Sequence, residues 1–306
     1  MFKSFLKRKL TAYLQACITP SIVEATAAKV FMGIRREQLL ASALHSEERG
    51  VAGMREKENT PVIVSLTTYG QRLYEVTMTI ESIMQGTVKP NGIMLWRDEQ
   101  DSRPLPRTLQ QQVARGLQVL TTRDIRSYKK LLPALQKFPD AHIVTIDDDV
   151  FYPHDFLEAL LTAHEQTPQA IIANMVMKLT RDAQGIPQGI KQWPYCDAVP
   201  ASTYDSDLFF EGFGGVFYPA GCLPKEVFQE IVFSELCPTA DDIWFNAMAR
   251  LAHTPIRVCP RSNYDFIAAV NSASQTDSLY SINNGSNNLN DSQLRAVWEH
   301  YHLQGQ

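Results

Sequence analysis

The feature that most constrains this chain is an alternation of two periods between residues 61 and 146. Short apolar or β-branched runs at 62–66, 93–96, 117–120 and 142–146 read as strands. Between them the spacing is helical. Val76, Ile80, Ile83 and Met84 share one face, residues 105–115 form a second helix, and Leu131, Leu132 and Leu135 mark a third across 128–138. Strands separated by helices return to the sheet by crossover, which makes them parallel and covers both faces. The predicted fold class is therefore α/β, a mostly parallel central sheet with helices on both sides. Ligands of such sheets bind outside the carboxyl ends of the strands.

The ends of the chain read differently. Phe2, Phe5, Leu6, Leu10, Tyr13, Leu14 and Cys17 recur at helical spacing beside Lys3, Lys7, Arg8 and Lys9, a basic amphipathic helix suited to an anionic membrane surface or to packing on the main domain. Pro20 ends it, and Ser21 with Glu24 forms an S-x-x-E box opening a second helix to about Leu44, with a polar linker over 47–60. The expected organisation is a helical extension over 1–58 and one main domain over 59–306. Residues 271–291, rich in Ser and Asn, read as a loop or lid. A net charge of −4 gives no footprint for a nucleic-acid partner. The five cysteines show no C-x-x-C pair, so free thiols in a reducing cytoplasm are expected, and no apolar run reaches the ~18 residues of a membrane span.

Three carboxylates, Asp147, Asp148 and Asp149, end the fourth strand. On an extended segment Asp147 and Asp149 share a side while Asp148 points away. A solvated turn is one reading. The other, favoured by the position at a strand's carboxyl end, is a site for a hard divalent cation such as Mg²⁺ or Mn²⁺, which takes its remaining ligands from water and substrate phosphates. Asp241 and Asp242 follow Thr239, which could cap a helix. Acids there stabilise the helix dipole, and one of them could equally serve as a general base. Gly212, Gly214 and Gly215 form either a strand bulge or a close backbone approach to a ligand. After the first strand Thr67 and Thr68 offer hydroxyls, Tyr69 a stacking face and Arg72 a fork for phosphate or a base edge. Lys129 and Lys130 could counter diphosphate charge or simply be solvated.

In order along the chain, "VIVSLTTYGQR", "SYKKLLPAL", "VTIDDDVFYP", "GFGGVFYP" and "CPTADDIWF" resemble the GT-A class of nucleotide-sugar-dependent glycosyltransferases, and within it family-2-like enzymes of bacterial surface-polysaccharide synthesis. The resemblance spans about residues 61–270. It implies a metal-dependent transferase with a Mn²⁺ or Mg²⁺ cofactor. The donor would be a nucleotide sugar, UDP being the commonest in the class, and the acceptor a glycan or lipid-linked hydroxyl of lipopolysaccharide or capsule. By the resemblance Thr67, Tyr69, Arg72, Asp147, Gly214 and Gly215 meet the nucleotide sugar, Asp147 and Asp149 the metal, and Asp242, with Asp241 beside it, is the base of an inverting transfer; Lys130 and Asp148 are expected to join the nucleotide-sugar site. "T-E-D" reads "A-D-D" here, and no Q-x-x-R-W follows, which argues against a processive synthase. Residues 1–17 would give peripheral contact with the inner face of the membrane. The competing reading is a carbohydrate-binding or scaffold subunit on a degenerate transferase fold. Two-metal phosphoester hydrolysis lacks the further ligands it needs.

Overall fold

A computed structural model describes residues 20–54, 60–183, 187–196, 205, 207–260, 268–269 and 288–303. The expected helix over 1–17 and most of the 271–291 segment lie outside them. Helix α1 (Pro20–His45) matches the second predicted helix and packs on two later helices, α2 (Val76–Met84) and α3 (Arg107–Ala114). The strands fall where the periods place them: β1 (Val62–Thr67), β2 (Gly92–Asp98) and β3 (Leu117–Thr122). The predicted helix over 128–138 is broken. A 3-10 turn, Arg126–Lys130, precedes helix α4 (Leu132–Lys137), because Pro133 suits a helix start rather than an interior.

Strand β4 (His142–Thr145) leads through the Asp triplet to β5 (Val150–Phe151) and α5 (Phe156–Gln166). Then come β6 (Ile171–Ala173), β7 (Val176–Lys178), β8 (Leu208–Phe210) and β9 (Val216–Tyr218). Helices α6 (Glu230–Leu236) and α7 (Asp241–Leu251), strands β10 (Ile256–Val258) and β11 (Ala268–Ala269), and helix α8 (Leu289–His300) complete the chain.

The central sheet has seven strands in the order β10-β6-β9-β4-β1-β2-β3. All are parallel except β9, which runs antiparallel between β4 and β6. Two small antiparallel pairs, β5 with β11 and β7 with β8, flank it. Both faces of the inner strands are buried, which is why they read as continuous apolar runs, while the edge strand β3 is partly exposed. On one face Ile63, Met94, Trp96 and Ile143 pack with Trp244, Phe245 and Trp298 of α7 and α8. On the other, Val64, Leu95 and Val144 pack with Ile80, Leu109 and Leu160 of α2, α3 and α5.

Two further expectations need correction. The 47–60 segment is not simply a tether: Gly50 N–H donates to Arg115 O at 3.0 Å, Ala52 N–H donates to Pro90 O at 2.9 Å, and Val51 is buried in the core. Its apolar residue anchors it despite the polar surroundings. The 271–291 reading also runs too far, since α8 already begins at Leu289.

Candidate active site

Carboxyl ends of β1 and β4 lie together, and because β9 is reversed its amino end lies there too, with Thr145 paired to Val216. This register gathers the loop after β1, the Asp triplet after β4, the glycines before β9 and the first turn of α7. The 3-10 turn carrying Lys130 is tied to the same place, because Ser65 Oγ donates to Lys130 O at 2.6 Å while Trp96 Nε1 donates to Ser65 Oγ at 3.0 Å.

Lys130 sits at the centre. Its Nζ lies 3.1 Å from Asp241 Oδ2, 3.7 Å from Asp147 Oδ1 and 3.8 Å from Asp242 Oδ1, with the side chain 9% exposed. Burial works against its charge, but the three carboxylates outweigh burial and hold its pKa well above the ordinary lysine value. The two α7 acids differ in access: Asp241's side chain is 8% exposed and Asp242's 31%. Burial raises the Asp242 carboxyl, opposed by Lys130 and aided by Asp241. Gly212 closes over this group, for a Cβ there would stand 2.5 Å from Asp242 Oδ1 and 2.6 Å from Lys130 Nζ. Gly214 and Gly215 have φ of +84° and +96°, left-handed backbone that glycine adopts without strain. Asn174 Nδ2 fixes the loop by donating to Gly214 O at 2.8 Å.

The triplet departs from strict alternation, because the chain turns at Asp148 and Asp149 instead of continuing as a strand. Asp148 is buried and accepts from Thr68 Oγ1 and Arg72 NH1, each at 2.7 Å. Asp149 Oδ2 lies 3.3 Å from the same guanidinium nitrogen. Asp147 instead faces Lys130, and its backbone N–H donates to Tyr152 OH at 3.0 Å. Burial raises the Asp147 carboxyl to about 7, against the pull of Lys130 and with the push of Asp149, Asp242 and Asp148. Tyr69 is half exposed, with the Arg72 guanidinium 5.4 Å from its ring centre. Thr67 turns its hydroxyl into the sheet, donating to Trp96 O at 3.0 Å. Thr239 does not cap α7: the N-cap is Ala240, and Thr239 exchanges hydrogen bonds with the Gln293 amide of α8.

Among the described residues no group of three or more His, Cys, Asp or Glu side chains forms a metal cage. Asp147 and Asp149 offer hard carboxylate oxygens only, a donor set that fits a divalent ion completing its shell from water and a bound diphosphate. Among the described residues Cys196, Cys222, Cys237 and Cys259 form no disulfide. No helix among the described residues is long and apolar enough to cross a membrane.

No family model matches the chain, and no curated protein matches it. Among solved structures, S. aureus TarS 1–349 in complex with UDP is similar over 79% of this chain and 72% of that one, at 14% identity and TM-score 0.44. The same protein in complex with UDP-GlcNAc is similar over 69% and 58%, at 15% identity and TM-score 0.43. Mannosyltransferase PcManGT from Pyrobaculum calidifontis, in complex with GDP-Man and Mn²⁺, is similar over 79% and 69%, at 12% identity and TM-score 0.40.

The fold thus brings Arg72, Lys130, all three residues of the triplet, the glycine loop and both α7 acids to one end of the sheet. Glu211 joins them without any sequence signal of its own. It directly precedes Gly212, its carboxylate accepts from Tyr195 OH at 3.1 and 3.2 Å, and burial together with the charge of Asp242 raises it to about 7. A single glutamate before a glycine has no spacing that marks it, and Tyr195 lies 16 residues away in sequence.

Proposed function

We propose that this chain is a metal-dependent GT-A glycosyltransferase. It moves a sugar from a nucleotide-sugar donor, UDP being the commonest nucleotide of the class, to a hydroxyl of a glycan or lipid-linked acceptor such as lipopolysaccharide or capsule. The observation that carries the reading is Asp242: a partly open carboxylate, braced by a buried lysine that also faces the Asp triplet. Nucleotide-binding and base chemistry then share one cationic pivot.

In this reading Asp147 and Asp149 hold a divalent ion, which when bound supplies the positive charge that a departing diphosphate needs. Tyr69 and Arg72 hold the nucleoside side of the donor, while Thr67, whose hydroxyl donates to Trp96 O, shapes the same loop from within the sheet. Arg72 is already locked by Asp148, so its guanidinium is pre-positioned before any ligand arrives. Lys130 keeps Asp147, Asp241 and Asp242 together despite their mutual repulsion. The acceptor hydroxyl attacks the anomeric carbon and loses its proton to Asp242, while the bond from that carbon to the diphosphate oxygen breaks. A carboxyl raised by its surroundings is the better proton acceptor. Asp241, the more buried acid, neutralises Lys130 rather than meeting substrate. Gly214 and Gly215 let the backbone approach the transferred sugar. One direct displacement inverts the anomeric centre, so product NMR showing retention would rule out Asp242 as base of a single-displacement reaction.

A lipid-linked acceptor fits the basic amphipathic stretch at 1–17 and the exposed Val30, Phe31 and Ile34 on α1, a surface suited to peripheral membrane contact.

The test is a panel of nucleotide sugars with Mn²⁺ or Mg²⁺, read by nucleoside-diphosphate release. Asp149→Ala and Asp242→Ala should each abolish turnover, and only Asp149→Ala should abolish metal-dependent nucleotide binding. Full activity in Asp242→Ala would overturn the catalytic assignment. A wild type that gives no metal-dependent thermal shift with any nucleotide favours the scaffold reading.

A further inference from the structure

Glu211 and Tyr195 take no part in the donor binding or proton transfer proposed above; Glu211 directly precedes Gly212, which stands against Asp242, and Tyr195 hydrogen-bonds to Glu211. The strand end carrying Glu211 is held directly against α7. Gly212 packs against the Asp242 carboxylate, and Asn246 of α7 clamps the preceding residue in both directions: Phe210 N–H donates to Asn246 Oδ1 at 3.0 Å, and Asn246 Nδ2 donates to Phe210 O at 2.8 Å. Glu211 itself is fixed by its N–H donating to Met175 O at 2.9 Å. Tyr195 belongs to the flanking β7–β8 unit through a bridge to Met177, and its side chain is half exposed while its hydroxyl donates to Glu211. Phe213, two residues beyond Glu211, is a second exposed aromatic in the same loop.

A carboxylate beside solvent-exposed aromatic rings is the chemistry that recognises a sugar. The aromatic face takes the apolar C–H face of a pyranose, and two carboxylate oxygens accept from neighbouring hydroxyls. We propose that Glu211 and Tyr195 form the acceptor subsite and select a neutral pyranose. This rests on the transfer reading above, since an acceptor hydroxyl must reach Asp242. Neutrality follows from charge. Glu211 directly precedes Gly212, which stands against the partly open Asp242, so a uronic-acid acceptor would bring a further carboxylate against both.

The experiment compares the wild type with Glu211→Gln and Tyr195→Ala. The acceptor probes are methyl glycosides of neutral hexoses and methyl glucuronide. The donor is whichever nucleotide sugar the wild type consumes. The expected result is a rise in the KM for the neutral glycoside of about 10- to 100-fold in each variant, the factor carried by one or two charge-assisted hydrogen bonds. The donor KM should stay put. The wild type should use the glucuronide less well than the neutral glycoside, and Glu211→Gln should narrow that gap. An unchanged acceptor KM, or a shift in donor KM alone, overturns the proposal.

Should the wild type consume no nucleotide sugar, the transfer reading fails by itself, and saturation-transfer NMR with the same glycosides still decides the subsite. Binding lost in both variants supports it. Binding equal in all three proteins, or absent from the wild type, refutes it.

Discussion

At the scale of single residues, the glycines separate effects on chemistry from effects on stability. The nearest atoms a methyl group at position 212 would meet are the ends of Asp242 and Lys130, and this backbone is not in the left-handed region, so the clash falls on the acid cluster rather than on the backbone. Gly212→Ala should cut turnover by about 10²-fold, the order that a 1 Å misplacement costs, with a thermal midpoint close to wild type. Position 215 behaves oppositely. Its φ is +96°, and a Cβ would lie 2.6 Å from Phe156 Cζ in the core, so Gly215→Ala should lower stability by about 1–3 kcal/mol in urea titration. The sequence showed both glycines and left open whether they made a bulge or a ligand approach. Only the φ values and neighbours tell them apart, because a glycine's letter does not record which side of it is crowded.

Among the elements, the join between α2 and α3 rests on a buried ion pair. Glu81 is fully buried and takes two bonds from Arg115, at 2.7 and 3.1 Å, and one from Gln112 at 3.0 Å. Arg115 also donates to Glu48 O at 2.7 Å, which ties the exit of α1 to the same point. Arg115→Ala leaves the Glu81 charge buried without its partner, so the expected loss is about 3–5 kcal/mol by denaturant unfolding. Replacing both with leucine should recover most of it, since the pair repays little beyond its own desolvation. The positions of β1 to β4 and of α2 were legible from period, because β1, β2 and β4 are buried on both faces and apolar almost throughout, while the edge strand β3 showed only a short apolar run. The Glu81–Arg115 pair was not legible. A glutamate on a helix gives no sign of facing inward until its partner from another element is known. The same holds for Lys130, whose surroundings come from residues 147, 241 and 242.

Across the whole molecule, stability depends on pH through groups pulling in opposite directions. His142 and His164 lie with ring centres 4.6 Å apart beside Phe217. Burial, and for His142 the neighbouring His164, lower both, His142 to about 4. The unfolded state then binds more protons between about pH 6.5 and 4, so this pair removes stability as the pH falls through that window. Asp147 and Glu211, raised to about 7, act in the other sense and add stability as they protonate. Wild-type protein alone therefore gives a mixed slope. The expected signature is the difference: the urea midpoint of His142→Asn/His164→Leu, relative to wild type, should improve from pH 7 to pH 5. An equal pH slope in the two proteins would remove the histidines as the cause.

Strand β9 has one more consequence. It is the element that closes both β4 and β6, and it lies some 70 residues after β4 in the chain. During synthesis, β4 and the Asp triplet emerge well before the strand that covers their flank, so a bare hydrogen-bonding edge persists for about ten seconds at ordinary ribosome speeds. Pairings over such separations are slow to form. The centre described above is therefore among the last parts of the molecule to exist. Truncations ending before residue 216 should accumulate as insoluble material rather than as a smaller soluble domain.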